Sequence, residues 1–176
     1  MFMYHQIPDA DTTILAGAPV EQSRNIRRWM DANRAALAEV TTLNLSGLSL
    51  TTVLHELEIY FPSLQTLNLR ANRLTTVPDF SHLPSLHTLD LESNRLTTVP
   101  DFSHLPSLHT LALSDNRLTT VPDFSHLPSL HTLQLAYNQL TTVPDFAHLP
   151  SLHTLLLQDN QLTTIPDFSR LPLFEI

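Results

Sequence analysis

The chain has 176 residues, 42% of them hydrophobic and 15% charged, which suits one domain or one short repeat array. A formal charge of −8 argues against a nucleic-acid or anionic-membrane partner, since either needs a positive surface. Without cysteine, disulfides, thiolate metal sites and thiol catalysis are excluded.

Residues 1–18 read as an N-terminal extension. They carry no basic segment followed by an apolar stretch long enough for a secretory signal. No run in the chain approaches the roughly 20 apolar residues of a membrane-spanning helix. The expectation is a soluble protein, cytoplasmic or delivered to a host cell without a cleavable signal peptide. All nine basic residues are arginine, which suits either avoidance of ubiquitin attachment or copying of one lysine-free unit.

Residues 19–40 have the helical period. Ile26, Trp29, Met30, Asn33, Ala36, Leu37 and Val40 fall along one stripe, and Pro19 suits a first helical turn. The stripe is expected to cap a first coil over Leu43–Val53, in which Leu48 stands where later coils have asparagine. A partner-binding helix is the alternative.

From residue 41 to the end the chain repeats itself. "LTTVPDFSHLPSLHTL" begins at Leu74, Leu96 and Leu118, and again at Leu140 with Ala147 in place of serine. The period is 22 residues. Its template is carried by Leu86, Leu89, Leu91, Asn94, Leu96, Val99, Phe102 and Leu105, with Asn72, Asn116, Asn138 and Asn160 in register with Asn94. Alternation sends Leu89 and Leu91 to one face of a short strand, and Thr88, Asp90 and Glu92 to the other. Asn94 can both donate and accept, so it can satisfy backbone groups where the strand bends inward. Pro100 fixes φ in the turn, and Asp101 is placed to cap a brief helical turn through Phe102 and Leu105. One such unit cannot stand alone, because its core and its strand hydrogen bonds are completed by neighbours.

This pattern, L-x-x-L-x-L-x-x-N-x-L, is that of leucine-rich repeats, and it runs from Leu43 to Pro172. The fold expected is an α/β solenoid. It is an arc of about six repeats, the last incomplete, with a parallel β-sheet on the concave side. Short 3₁₀ turns are expected on the convex side and a helical cap at the N-terminus. The array ends at "LFEI", where Phe174 is in register with Leu152. The strand around Leu155–Leu157 is then an open edge, and three readings apply. The chain continues in a longer protein; Leu173, Phe174 and Ile176 fold back as a lid; or two chains meet there as a homodimer.

The letters that change between copies gather in four columns. They run Asn68, Asp90, Ala112, Gln134, Leu156; then Arg70, Glu92, Ser114, Ala136, Gln158; then Ala71, Ser93, Asp115, Tyr137, Asp159; then Arg73, Arg95, Arg117, Gln139, Gln161. All lie on or beside the concave strands. One reading is that these sites are merely free of core constraint, yet His87, Ser103 and His104 are equally free and hardly vary. A constant frame with one varied surface points to a protein ligand. The residues expected to hold it are Arg70, Arg73, Asp90, Glu92, Arg95, Asp115, Arg117, Gln134, Tyr137, Leu156 and Gln158. Tyrosine and arginine are frequent interface anchors, and the arginines would steer acidic groups of the ligand.

The 22-residue unit resembles that of internalins and of SDS22-type regulatory proteins. "RRWMDANRAAL" leading into "LNLSGLSL" resembles leucine-rich-repeat proteins of intracellular bacteria, some of them effectors delivered into host cells. The resemblance implies a non-enzymatic binding module whose concave face holds a protein of the host, or of the same cell if the regulatory likeness is followed. A structural spacer is a third reading. Two departures stand out: internalins carry an export signal, and ubiquitin-ligase effectors with such repeats need a catalytic cysteine.

No phosphate loop, G-x-S-x-G or H-E-x-x-H is present, and the serine, histidine and aspartate of each repeat are copied surface residues. No catalytic residues and no cofactor are expected. Eight histidines form two columns, His82, His104, His126, His148 and His87, His109, His131, His153. Stacking would set them about 5 Å apart. Sharing a metal is the sharp reading and copying the plain one; with no second ligand type at a coordinating spacing, no metal is expected. Charging neighbours about 5 Å apart is mutually unfavourable, so the array is expected to lose stability below about pH 6. A melting temperature that stays constant between about pH 7.5 and about pH 5.5 would remove this expectation.

Overall fold

The computed structural model describes Arg28, residues 30–53 and residues 57–164. A short helix, α1 (Arg34–Ala38), leads into strand β1 (Thr42–Asn44) and then helix α2 (Leu57–Tyr60). Strands β2 (Thr66–Asn68), β3 (Thr88–Asp90), β4 (Thr110–Ala112), β5 (Thr132–Gln134) and β6 (Thr154–Leu156) follow, one per coil. All six form one parallel sheet in chain order. Leu67, Leu89, Leu111, Leu133 and Leu155 sit side by side in successive strands. The first register step, Leu43 to Leu67, is two residues longer than the rest. That extra length holds α2, which later coils lack.

The core is a stack of identical layers. Leu64, Leu67, Leu69, Leu74, Leu83 and their copies through Leu155 are wholly buried, as are Phe80, Phe102, Phe124 and Phe146; in the last described coil Leu157 is 8% exposed and Leu162 only partly buried. Phe80, Phe102 and Phe124 stack with centroids 6.4 and 6.5 Å apart. A neighbour on each side is therefore what keeps every layer dry.

Asparagine joins the layers. Asn116 Oδ1 accepts from the Leu96 amide of the preceding coil at 2.9 Å. Its Nδ2 donates to Leu91 O of that coil at 3.0 Å and to Leu113 O of its own at 3.1 Å. Asn72, Asn94, Asn138 and Asn160 repeat the arrangement with their own neighbours. The first coil has Leu48 at this position, half-buried against the core.

The N-terminal cap packs as its stripe requires: Leu37 joins the core, with Met30 and Val40 against it. Ala36, expected on the stripe, is exposed instead. Arg28 and residues 30–32 are helical too, and a turn at Asn33 separates them from the five residues of α1. Asp31 accepts from the Tyr60 hydroxyl at 2.8 Å, and Arg34 lies 5.7 Å from the Tyr60 ring centroid, tying the cap to α2. The extension 1–18, the start of the expected helix with Ile26 and Trp29, and the array's end with Leu173, Phe174 and Ile176 lie outside the described residues.

The convex side differs from expectation. A 3₁₀ turn is present at Phe146–His148, but the three earlier copies close with a single turn in which Phe80, Phe102 and Phe124 adopt φ of 53°, 53° and 52°. The copy that does form 3₁₀ helix is the one with Ala147. Alanine has the higher helical propensity, whereas a serine hydroxyl competes for local backbone groups.

Replacing Asn116 by alanine would strand the buried Leu96 amide and remove one of two donors from the carbonyls of Leu91 and Leu113, which keep Asn94 and Asn138. Thermal or urea unfolding should show a loss of roughly 2–4 kcal/mol. Thr119→Ala, on the exposed surface of the same coil, should stay within about 0.5 kcal/mol of the parent.

Candidate protein-binding face

Each strand shows its odd letters to the concave side because leucine claims the other. Asp90 and Gln134 are half-buried between fully buried leucines, and Leu156 is also half-buried. Beyond the strands, Arg70, Gln158, Asp115 and Tyr137 are exposed, and so are Arg73, Arg95 and Arg117. Glu92 is half-buried. Inter-coil hydrogen bonds continue past the strands. The amides of Ala71, Ser93, Asp115 and Tyr137 donate to the carbonyls of Glu92, Ser114, Ala136 and Gln158 at 2.9–3.0 Å. The eleven expected residues thus share one surface, in rows set by the coil spacing.

Two of them also serve the frame. Asp90 Oδ1 accepts from the Glu92 amide at 3.0 Å, as Asn68 does from Arg70 at 2.9 Å. Glu92 pairs with Arg70 across one coil boundary. Ala112, Gln134 and Leu156 stand at the Asp90 position in later coils and make no such contact. The N-terminal part of the face is partly self-satisfied, and the C-terminal part is open to other groups.

The column after the strands has a demanding backbone. Gly47, Ala71, Ser93, Asp115, Tyr137 and Asp159 all have positive φ, between 55° and 71°. Glycine, asparagine and aspartate tolerate this region; a bulky tyrosine does not favour it. Tyr137 nevertheless stands there with 57% of its surface exposed. Beside Ile59 it is one of two large apolar side chains exposed among the described residues.

Three residues of the face carried no signal as anchors in the sequence. Ala112, Ser114 and Ala136 lie in the outward columns yet are buried. Their letters do vary between copies, which is the cue available.

The histidines occupy two different settings. His82, His104, His126 and His148 are exposed. His87, His109, His131 and His153 stack face to face, with centroids 5.2, 5.1 and 5.4 Å apart. Their Nδ1 atoms meet the carbonyls of Ser85, Ser107, Ser129 and Ser151 at 2.5–2.7 Å. With ring planes 6–25° apart, their free nitrogens run side by side and do not converge. Among the described residues, no group of three or more histidine, aspartate or glutamate side chains could hold a metal ion. No described helix is long and apolar enough to cross a membrane.

A solenoid of this construction, with one varied concave surface, defines a class of protein, and sequence comparison gives the same class. The leucine-rich-repeat family model matches residues 38–96, 62–118 and 106–162, and the chain belongs to that family. Such repeats are protein–protein interaction modules. No curated protein matches the chain. Among solved structures, InlP of Listeria monocytogenes is similar at 40% identity and TM-score 0.70, over 74% of this chain and 37% of that one. A leucine-rich-repeat protein of Leptospira interrogans is similar at 37% identity and TM-score 0.68, over 72% of this chain and 33% of that one. YopM of Yersinia enterocolitica is similar at 27% identity and TM-score 0.70, over 90% and 33%. The chain therefore spans about a third of the length of these proteins.

On the convex side Asp123 has a distinct electrostatic setting. Its carboxyl lies below the ordinary aspartate value, first because the Ser125 amide donates to it at 3.0 Å, and then because the Ser125 hydroxyl does. Desolvation opposes these bonds, and His148 and then His126 add weaker lowering effects. A lowered folded-state value means the stabilisation is complete above the ordinary carboxylate range and is lost as pH falls through the lowered value. Asp123→Ala should therefore lower the melting temperature slightly at neutral pH, by about one or two degrees for so exposed a group. That difference should close as the protein is taken to strongly acid pH; a gap that persists there would show that ionisation is not involved.

Proposed function

We propose that this module binds a protein partner across β2–β6 through the concave face, without catalysing a reaction. The expected contact residues are Arg70, Arg73, Asp90, Glu92, Arg95, Asp115, Arg117, Gln134, Tyr137, Leu156 and Gln158. The observation that carries this reading is Tyr137, a large aromatic held exposed in a backbone conformation that does not favour it. Sparsely populated conformations persist where the surroundings impose them and cluster at functional sites. The Arg73, Arg95 and Arg117 edge suits acidic groups of a ligand, while Tyr137 and Leu156 suit its drier contacts.

A host-directed role, as a bacterial effector, is supported by the likeness to proteins of Leptospira, Listeria and Yersinia and by the helical segment leading into the repeats. The other reading is a regulatory or scaffolding subunit within its own cell, and comparison of host and self lysates separates the two. The combined change Arg95→Ala, Tyr137→Ala and Leu156→Ala should leave the melting curve close to the parent's and reduce recovery of the captured partner at least about tenfold. Unchanged recovery from both lysates would overturn the concave-face reading.

A further inference from the structure

One edge of the concave face carries charge that the frame does not use. Arg73, Arg95 and Arg117 hold the same position in three successive coils, and all are exposed. Their amides donate to the Leu50, Leu74 and Leu96 carbonyls of the preceding coils at 2.8–2.9 Å, so their backbones are fixed at coil spacing. Among the described residues the ion pair is Arg70–Glu92, and none of these three guanidiniums takes part in one. Two residues before Arg73 and Arg95 stand the uncharged Ala71 and Ser93; Asp115 precedes Arg117 in the same way and screens it in part.

The position itself does not demand arginine. Gln139 and Gln161 fill it in the next two coils, and their amides make the same bond, to Leu118 O and Leu140 O at 2.9 Å. Like charges in adjacent coils repel one another, a cost that an acidic ligand would offset. The chain as a whole has a formal charge of −8, so an acidic ligand is drawn to this row and not to the protein at large.

Spacing and strand pairing select the form of that ligand. The stacked histidines beside the same strands give a coil step of 5.1–5.4 Å. On an α-helix, side chains three or four residues apart stand about 5–6 Å from each other, which matches one step. Seven helical residues rise about 10.5 Å, which matches the two steps from Arg73 to Arg117. Alternate side chains of an extended segment are about 6.6 Å apart and overrun the row. An extended segment also needs partners for its own backbone, and β2–β4 beside this row are already paired on both sides. A helix satisfies its backbone internally.

Resting on the concave-face reading, we infer that the arginine row receives an acidic helix of the partner, laid along the solenoid axis. Its aspartates or glutamates, three or four residues apart on one face, meet successive guanidiniums. Arg73 and Arg95 are the principal contacts, and Arg117 is a weaker one because Asp115 stands beside it.

The probe is an alanine-based helical peptide with three glutamates aligned on one face, titrated into labelled protein and followed by amide and arginine side-chain NMR. One control spreads the glutamates around the helix, a second replaces them by glutamine, and a third is an extended peptide with glutamate at alternate positions. The aligned helix should shift the signals of Arg73 and Arg95 saturably and bind at least about threefold more tightly than every control. Arg73→Gln combined with Arg95→Gln installs the residue that later coils already carry, and melting curves check the fold. It should weaken the aligned helix about threefold to tenfold, and Arg117→Gln should weaken it less. Conversely, Gln139→Arg lengthens the row and should tighten a helix bearing a fourth aligned glutamate. The inference is overturned if the spread or extended peptide binds as tightly as the aligned one, or if the double variant binds like the parent. If the Arg95, Tyr137, Leu156 variant loses its partner while the aligned helix does not bind, concave-face binding stands and this inference alone falls.

Discussion

The structure depends on one constraint: no coil can satisfy its own buried backbone. The amide of Leu96 finds its partner in Asn116, a residue of the next coil, whose Nδ2 also joins Asn94 in donating to the carbonyl of Leu91. Leaving such groups unpaired away from water is costly, so the asparagine position is less a preference than a condition of stacking. It also sets distance. A side chain that must reach both its own Leu113 carbonyl and the previous Leu91 carbonyl allows one spacing between coils. Strand register, the phenylalanine stack and the histidine stack all inherit that spacing.

With the frame so determined, strain can be held in fixed places. Phe80, Phe102 and Phe124 have positive φ, which costs a bulky residue about 1–2 kcal/mol. Complete burial of each ring against the next offsets it, since a buried aromatic contributes comparably or more. Tyr137 pays for the same conformation without burial. On the proposed reading, that contrast separates residues retained for packing from one retained for a partner.

Much of this was legible in the letters. The leucine alternation and the recurring asparagine specify strand, bend and stacking, because each has one chemical role that its spacing reveals. The surface columns were legible for a similar reason, as the positions where copying was relaxed. What escaped were properties that belong to pairs and neighbourhoods. Ser103 and Ala147 differ by one hydroxyl, yet one copy turns through a left-handed phenylalanine and the other forms 3₁₀ helix. Asp90 reads as a binding residue, but one of its oxygens is already engaged by the Glu92 amide. Ala112 and Ala136 stand in the outward columns, and only the folded surroundings show that they are buried. Relative height and local hydrogen-bond competition are not written at any single position.

A surface built this way changes by substitution alone. Because each outward side chain stands on a buried leucine ladder, exchanging Glu92 for Ser114 or Ala136 in the next coils alters the relief without moving the frame. Lengthening a letter raises a wall, shortening one opens a hollow, and charge is set independently of either. Along the present chain these choices run from Arg70 already paired with Glu92, through the small buried residues Ala112, Ser114 and Ala136, to an exposed aromatic between two aspartates. The order is directional, so a partner bound across it must present complementary groups in one sequence and cannot bind equally well reversed. Directionality of that kind suits recognition of a defined protein surface better than a spacer, for which any exposed letters would serve.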